Sequence, residues 1–172
     1  MRAMVVYESI FGNTQAIAMA IACGLATSMK VDLVDSASAP ATLDGSIELL
    51  VVGSPTHAFG FTRPVTRQTA VQQGATLFPA ASVGLREWLN TLNRSPGTRA
   101  ATFDTRIERP RVAGSAARAA ARRLRRLGLR PVVAPVSFYV MGTPGPLVEG
   151  EMERAERWGV QVASALAAPV SV

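Results

Sequence analysis

The 172 residues are 48% hydrophobic and 17% charged, enough chain to bury one proper core and hardly two, so a single domain over residues 1–172 is expected. Eighteen Lys and Arg against 12 Asp and Glu leave a net charge of +6, and every basic residue except Lys30 is an arginine, a balance that attracts acidic partners and keeps nucleic acid in view. The strand pattern that begins almost at Met1 carries no basic and apolar leader features, and the longest nearly apolar stretch, Ala16 to Ala26, is too short to span a bilayer, so the expectation is a soluble, cytoplasmic protein with no membrane span.

Ala3 to Tyr7 is the first strand-like run, and a helical pattern follows from about Thr14 to Met29. Cys23 sits within it; a lone cysteine makes neither an internal disulfide nor a cysteine metal cluster, and its ordinary reading is a small buried thiol. "KVDLVD", Lys30 to Asp35, alternates as a strand with one covered face and belongs at a sheet edge. "ELLVVGSP" is apolar on consecutive positions, as a central strand buried on both faces would be. From Phe61 to Arg94 the pattern is least regular, with "RPVTRQTAVQQG" and "GLREWLNTL" reading as two helical pieces. In the second, Leu85, Trp88, Leu89 and Leu92 form an apolar stripe for a sheet face, which makes Trp88 a core residue.

Ala100 to Phe103 starts the next strand, and a helix near Gly114 to Leu127 follows. Ala117, Ala120, Ala121, Leu124 and Leu127 make its buried stripe, while Arg118, Arg122 and Arg126 make an exposed basic row. Without interleaved aromatics this is a solvated amphipathic helix before it is a nucleic-acid groove. Val132 to Val140 is the last strand, placed at an edge by Pro135, which has no N–H to give a ladder. A helix near Glu149 to Leu166 closes the chain. Five strand–helix alternations call for an α/β fold, a mostly parallel sheet with helices on both faces.

Ligands of such a sheet bind beyond the carboxyl ends of the strands, where the strand order reverses. If that order is 2-1-3-4-5, only the loops after strands one, three and four line the crevice: "ESIFGNT", "SPTHAFGF" and "DTRIERPRVAG". The first passes straight into a helix, whose unpaired N–H groups and positive dipole end suit a phosphate. Gly12 lets the backbone approach, Asn13 tolerates unusual dihedrals, and the hydroxyls of Ser9 and Thr14 can donate. Ile10 and Phe11 add apolar bulk between them. A P-loop would need a lysine after its glycine, and a dinucleotide fingerprint three spaced glycines. Neither occurs, and with no basic side chain between Met4 and Met29 the phosphate would rest on neutral donors, as suits a buried phosphate monoester.

"YESIFGNT" followed by "LLVVGSPTHAFG" resembles the flavodoxin family. The resemblance implies a three-layer, doubly wound fold with a five-stranded parallel sheet in the order 2-1-3-4-5, and a noncovalent FMN. It implies a phosphate held by Ser9, Gly12, Asn13, Thr14 and Gln15 and a flavin ring between the second and third loops. The second loop, Ser54, Pro55, Thr56, His57, Ala58, Phe59 and Gly60, would supply backbone contacts and a wall, with Phe59 the expected wall residue. His57, the only histidine, reads first as an ordinary loop histidine and second as a flavin contact. In the third loop Phe103, Asp104, Thr105 and Arg106 stand at the flavin. There the chain departs from the family pattern, carrying Arg106, Arg109 and Arg111 and no aromatic after Phe103.

No side chain declares itself an acid, base or nucleophile, and neither a catalytic residue nor a metal ligand is assigned. The leading expectation is an FMN-binding protein that passes electrons, either as a carrier or as a flavin-dependent oxidoreductase toward a small acceptor such as a quinone, with an acidic redox partner matching the charge. Two alternatives remain: a binding module of the same fold without tight flavin, and a basic-surface binder of an acidic partner or nucleic acid through Arg118 to Arg130.

Overall fold

A computed structural model describes residues 1–57, 60–63, 65, 83–109 and 113–168. Six parallel strands are formed by β1 (Arg2–Tyr7), β2 (Lys30–Asp35), β3 (Leu49–Pro55), β4 (Arg99–Ile107), β5 (Arg130–Pro131) and β6 (Val136–Val140). The sheet order is β2-β1-β3-β4-β5, with β6 also pairing β4. Four helices among the described residues complete the layers: α1 (Asn13–Ala26), α2 (Leu85–Thr91), α3 (Ala116–Arg126) and α4 (Glu151–Ala167). None is long and apolar enough to cross a membrane.

The consecutive apolar residues of β3 are buried throughout Leu49 to Ser54, because each strand face meets a separate core. On one face Ala3, Val5, Leu49, Val51, Ala101 and Phe103 pack under α1 and α4. On the other, Met4, Val6, Leu50, Val52 and Ala100 pack under α2 and α3. Trp88 of α2 is 2% exposed in that second core, and its indole N–H donates to the Pro40 carbonyl at 3.0 Å.

The fifth strand is broken where a continuous run was expected. Ala100 pairs with Pro131 and Phe103 with Val136, so Ala101 and Thr102 stand opposite the longer stretch Val132 to Pro135. Prolines at both ends of that stretch remove ladder donors, and the chain bulges between them. β4 also runs past Phe103 to Ile107, which turns Asp104 to Ile107 from loop into strand. Cys23 is exposed, contrary to the expected burial. Its helix is apolar on both sides, and the face bearing Thr14, Ile17, Ile21 and Leu25 is the one that packs.

α1 and α4 approach closely at two glycines. A Cβ on Gly24 would lie 2.1 Å from the Glu156 carbonyl oxygen, and one on Gly159 2.4 Å from that of Ile21. The N-terminus of α4 is fastened to β6 by Glu151, whose carboxylate accepts from the Tyr139 N–H at 2.7 Å and from Arg154 at 2.6 and 2.8 Å.

Candidate functional site

The carboxyl ends of β1, β3, β4 and β6 converge on a cavity of about 60 Å³. Its floor is the turn from β1 into α1. Gly12 is the N-cap residue at φ 91°, a left-handed conformation that glycine adopts without penalty, and no side chain caps the helix. The first intrahelical bond runs from the Ala16 N–H to the Gly12 carbonyl at 2.9 Å. The N–H groups just before it therefore have no place in the helical ladder and point out of the helix end.

Ile10, Phe11, Asn13 and Thr14 line the cavity from this turn. Ser9 is 4% exposed, and its hydroxyl is buried without a hydrogen-bond partner. The Thr14 hydroxyl shares a 2.7 Å hydrogen bond with that of Thr105, tying the turn to β4. Asn13 donates from its amide to the Pro144 carbonyl at 3.2 Å. The Gln15 side chain engages Tyr7, which leaves its backbone N–H as its contribution to the helix end.

Pro55, Thr56 and His57 form the second wall. His57 and Gly60 exchange backbone hydrogen bonds at 2.9 Å in both directions. Burial pushes the His57 imidazole below its ordinary pKa, favouring the neutral ring. Ser54 is fully buried beneath this wall and is not part of the lining. Ala58 and Phe59 lie outside the described residues, as do Arg111 and most of the first helical piece expected after Phe61.

Thr105 and Arg106 supply the third wall, joined by Ile107. Phe103 and Asp104, expected beside them, do other work. Phe103 is fully buried in an edge-to-face cluster with Phe138 and Trp158, at centroid distances of 6.2 and 6.4 Å, and a Cβ on Gly53 would lie 2.1 Å from its ring. Asp104 is likewise fully buried. Its Oδ2 accepts from the Thr56 hydroxyl at 2.9 Å, the Ser115 hydroxyl at 2.5 Å and the Ala117 N–H at 3.0 Å. Through Oδ2 that carboxylate ties the second wall to the start of α3, while Oδ1 is buried without a hydrogen-bond partner.

Three contributions were absent from the sequence reading. Val140 and Thr143 bring the segment after β6 into the lining, a fourth loop where three were expected. Glu8, fully buried at the end of β1, accepts from the Thr62 hydroxyl and from the Leu85 N–H at 2.8 Å, anchoring the segment after the second wall and the start of α2. The alternation Met4, Val6, Glu8 on one strand face was its available signal.

Neither a protein-family model nor a curated protein sequence matches the chain. Solved structures do. A flavodoxin from the domain Archaea superposes with a TM-score of 0.65 at 18% identity, covering 98% of this chain and 100% of its own. Oxidised flavodoxin 1 from Bacillus cereus gives a TM-score of 0.65 at 15% identity over 95% and 98% of the two chains. The flavodoxin of Streptococcus pneumoniae TIGR4 gives 0.63 at 17% identity over 97% and 98%. By its parallel sheet order and these superpositions, this chain has the flavodoxin-like fold.

Proposed function

We propose that the protein binds FMN by its phosphate and passes electrons, as a carrier or as an oxidoreductase toward a small acceptor such as a quinone. The observation that carries this reading is the uncapped, left-handed entry to α1 beside the partnerless, buried Ser9 hydroxyl. A buried polar atom without a partner is costly, and a phosphate accepting from Ser9 and from the N–H groups of Asn13, Thr14 and Gln15 would relieve it. The cavity of about 60 Å³ has room for a phosphoryl group; the remainder of the cofactor has to lie along the open mouth.

At that mouth Thr56 and His57 lie beside Arg106 and Ile107, the Thr56 N–H donating to the Thr105 carbonyl at 2.8 Å. When bound, flavin supplies the redox chemistry. The chain supplies position and electrostatics: neutral donors at the phosphate, an imidazole kept neutral by burial, and the Arg106 guanidinium near the mouth. Phosphate anchoring makes FMN bind at least tenfold more tightly than riboflavin, a difference of about 1.4 kcal/mol. A fluorescence-quenching titration of the purified protein with each ligand measures it, and equal affinities would reject the phosphate site.

A further inference from the structure

After Val140 the chain turns back on β6 as a hairpin. Val140 bridges Leu147 in antiparallel fashion, the Met141 N–H donates to the Pro146 carbonyl at 2.9 Å, and the Val148 N–H donates to the Tyr139 carbonyl at 3.0 Å. At the tip the Gly145 N–H donates to the Gly142 carbonyl at 3.0 Å, closing a four-residue turn with Thr143 and Pro144 at its corners.

That tip rests on the first residue of α1. The Asn13 side-chain amide donates to the Pro144 carbonyl at 3.2 Å. Gly145, at φ 106°, comes so near that a Cβ there would lie 2.7 Å from Asn13 Oδ1, and only a glycine combines that backbone conformation with that approach. Asn13 therefore belongs to the helix entry through its backbone and holds the hairpin through its side chain. As a result Thr143 lines the same cavity as Ile10, Phe11 and Thr14.

The helix entry is short of hydroxyl donors. Ser9 has one to give, but the Thr14 hydroxyl is bonded to that of Thr105 at 2.7 Å, and Phe11 between them is apolar. The Arg106 guanidinium in the lining is engaged by the Gly114 carbonyl and by a further interaction. Thr143 is different: it is exposed, and its hydroxyl makes no hydrogen bond among the described residues. A phosphate monoester carries three acceptor oxygens, each able to take more than one donor, so a hydroxyl from a second element adds to Ser9 and the helix end without competing with them. We propose that Thr143 is a phosphate-binding residue, its hydroxyl delivered by the hairpin tip to the anion bound at the entry to α1.

This assignment rests on the phosphate reading of the α1 entry, and its test separates the two. Affinities for FMN and for riboflavin are measured by fluorescence quenching in the wild-type, Thr143→Val and Thr143→Ser proteins, with a urea melt of each. Thr143→Val keeps the shape of the side chain and removes the hydroxyl. It should weaken FMN about tenfold, the loss of a hydrogen bond to a charged group, while riboflavin affinity and the melt stay unchanged. Thr143→Ser keeps the hydroxyl and should bind FMN as the wild type does. A Thr143→Val protein that keeps the wild-type preference for FMN, or that loses FMN and riboflavin alike, overturns the proposal. So does a Thr143→Ser protein as weak as Thr143→Val, since the methyl group would then be the contact. A wild-type protein that binds FMN and riboflavin equally overturns the phosphate site and this assignment with it.

Discussion

Two hydroxyls a few residues apart carry opposite liabilities. The Ser9 hydroxyl is buried without a partner, whereas Thr14 shares its hydrogen bond with Thr105, itself 4% exposed. Ser9→Ala should therefore leave the ligand-free protein as stable as before, or slightly more so, yet weaken FMN by about 1.5–3 kcal/mol, the worth of a hydrogen bond to a charged group. Thr14→Val strands the Thr105 hydroxyl and should lower stability without ligand by about 1–3 kcal/mol. Urea melts and FMN titrations of both variants check this; a destabilised Ser9→Ala that binds FMN normally would refute the assignment. His57 adds a pH dependence. Burial holds its folded pKa below the ordinary value near 6.5, so the unfolded chain takes up the proton first as pH falls. Stability from this group is complete above about pH 6.5 and is lost below it. Thermal melts between about pH 7.5 and 5 should show that part of the slope vanish in His57→Gln; identical slopes in the two proteins would clear His57 of the role. The glycine turn from β1 into α1 was legible from sequence because glycine, hydroxyls and a helix start are local signals. Phe103 and Asp104 were misplaced because their roles depend on where β4 stops and which face each residue takes. One more turn of the strand pleat sends Phe103 to one core and Asp104 to the start of α3.

Elements are held together by contacts that sequence periodicity shows only in part. The α1–α4 pair depends on two glycines whose missing side chains let one helix backbone rest against the other. Gly24→Ala would push a methyl group into the Glu156 carbonyl, a backbone atom that cannot swing aside, and should cost about 1–3 kcal/mol or more. Gly45→Ala is the control, since a Cβ there meets nothing within 4 Å and a stiffer unfolded chain favours folding by about 0.4–1 kcal/mol. Chemical denaturation of the pair decides it: equal midpoints would mean that the helices separate at little cost. Amphipathic α3 was readable in detail, with Ala117, Ala120, Ala121 and Leu124 buried and Arg118, Arg122 and Arg126 exposed, because its two faces differ so sharply. α1 was not, since apolar residues surround it and only its packing against the sheet and α4 selects the buried side. That is why Cys23 was assigned to the wrong face. The broken last strand had its signal in Pro131 and Pro135, but the number of residues that bulge out follows from the register on β4.

At the scale of the molecule, the topology puts a basic surface next to the candidate cleft. The strand alternation made the parallel sheet and its edges legible, yet the fourth loop at the cleft was not, because the segment after β6 reaches it through tertiary contacts such as the 3.2 Å bond of Asn13 to Pro144. Arg106 lines the cleft, Arg118 follows in the first turn of α3, and the exposed Arg122, Arg125 and Arg126 continue along α3. Together with a net charge of +6, these arginines give the protein a positive field, which under the proposed function would act on a charged electron acceptor. Such a field draws anions and repels cations, and salt weakens both effects over a Debye length of about 8–10 Å. The reduced, FMN-loaded protein should accordingly be oxidised by ferricyanide, a multiply charged anion, at a rate that falls as ionic strength rises. With hexaammineruthenium(III), a multiply charged cation, the rate should rise instead. Replacing Arg122, Arg125 and Arg126 together with glutamate should shrink both dependences, because these side chains are exposed and lie outside the cleft lining. Stopped-flow rates over a salt series measure the outcome. Equal salt dependence for the two oxidants would place the route of electron exchange away from this surface, and an opposite sign for ferricyanide would mean that carboxylates, not arginines, govern the approach.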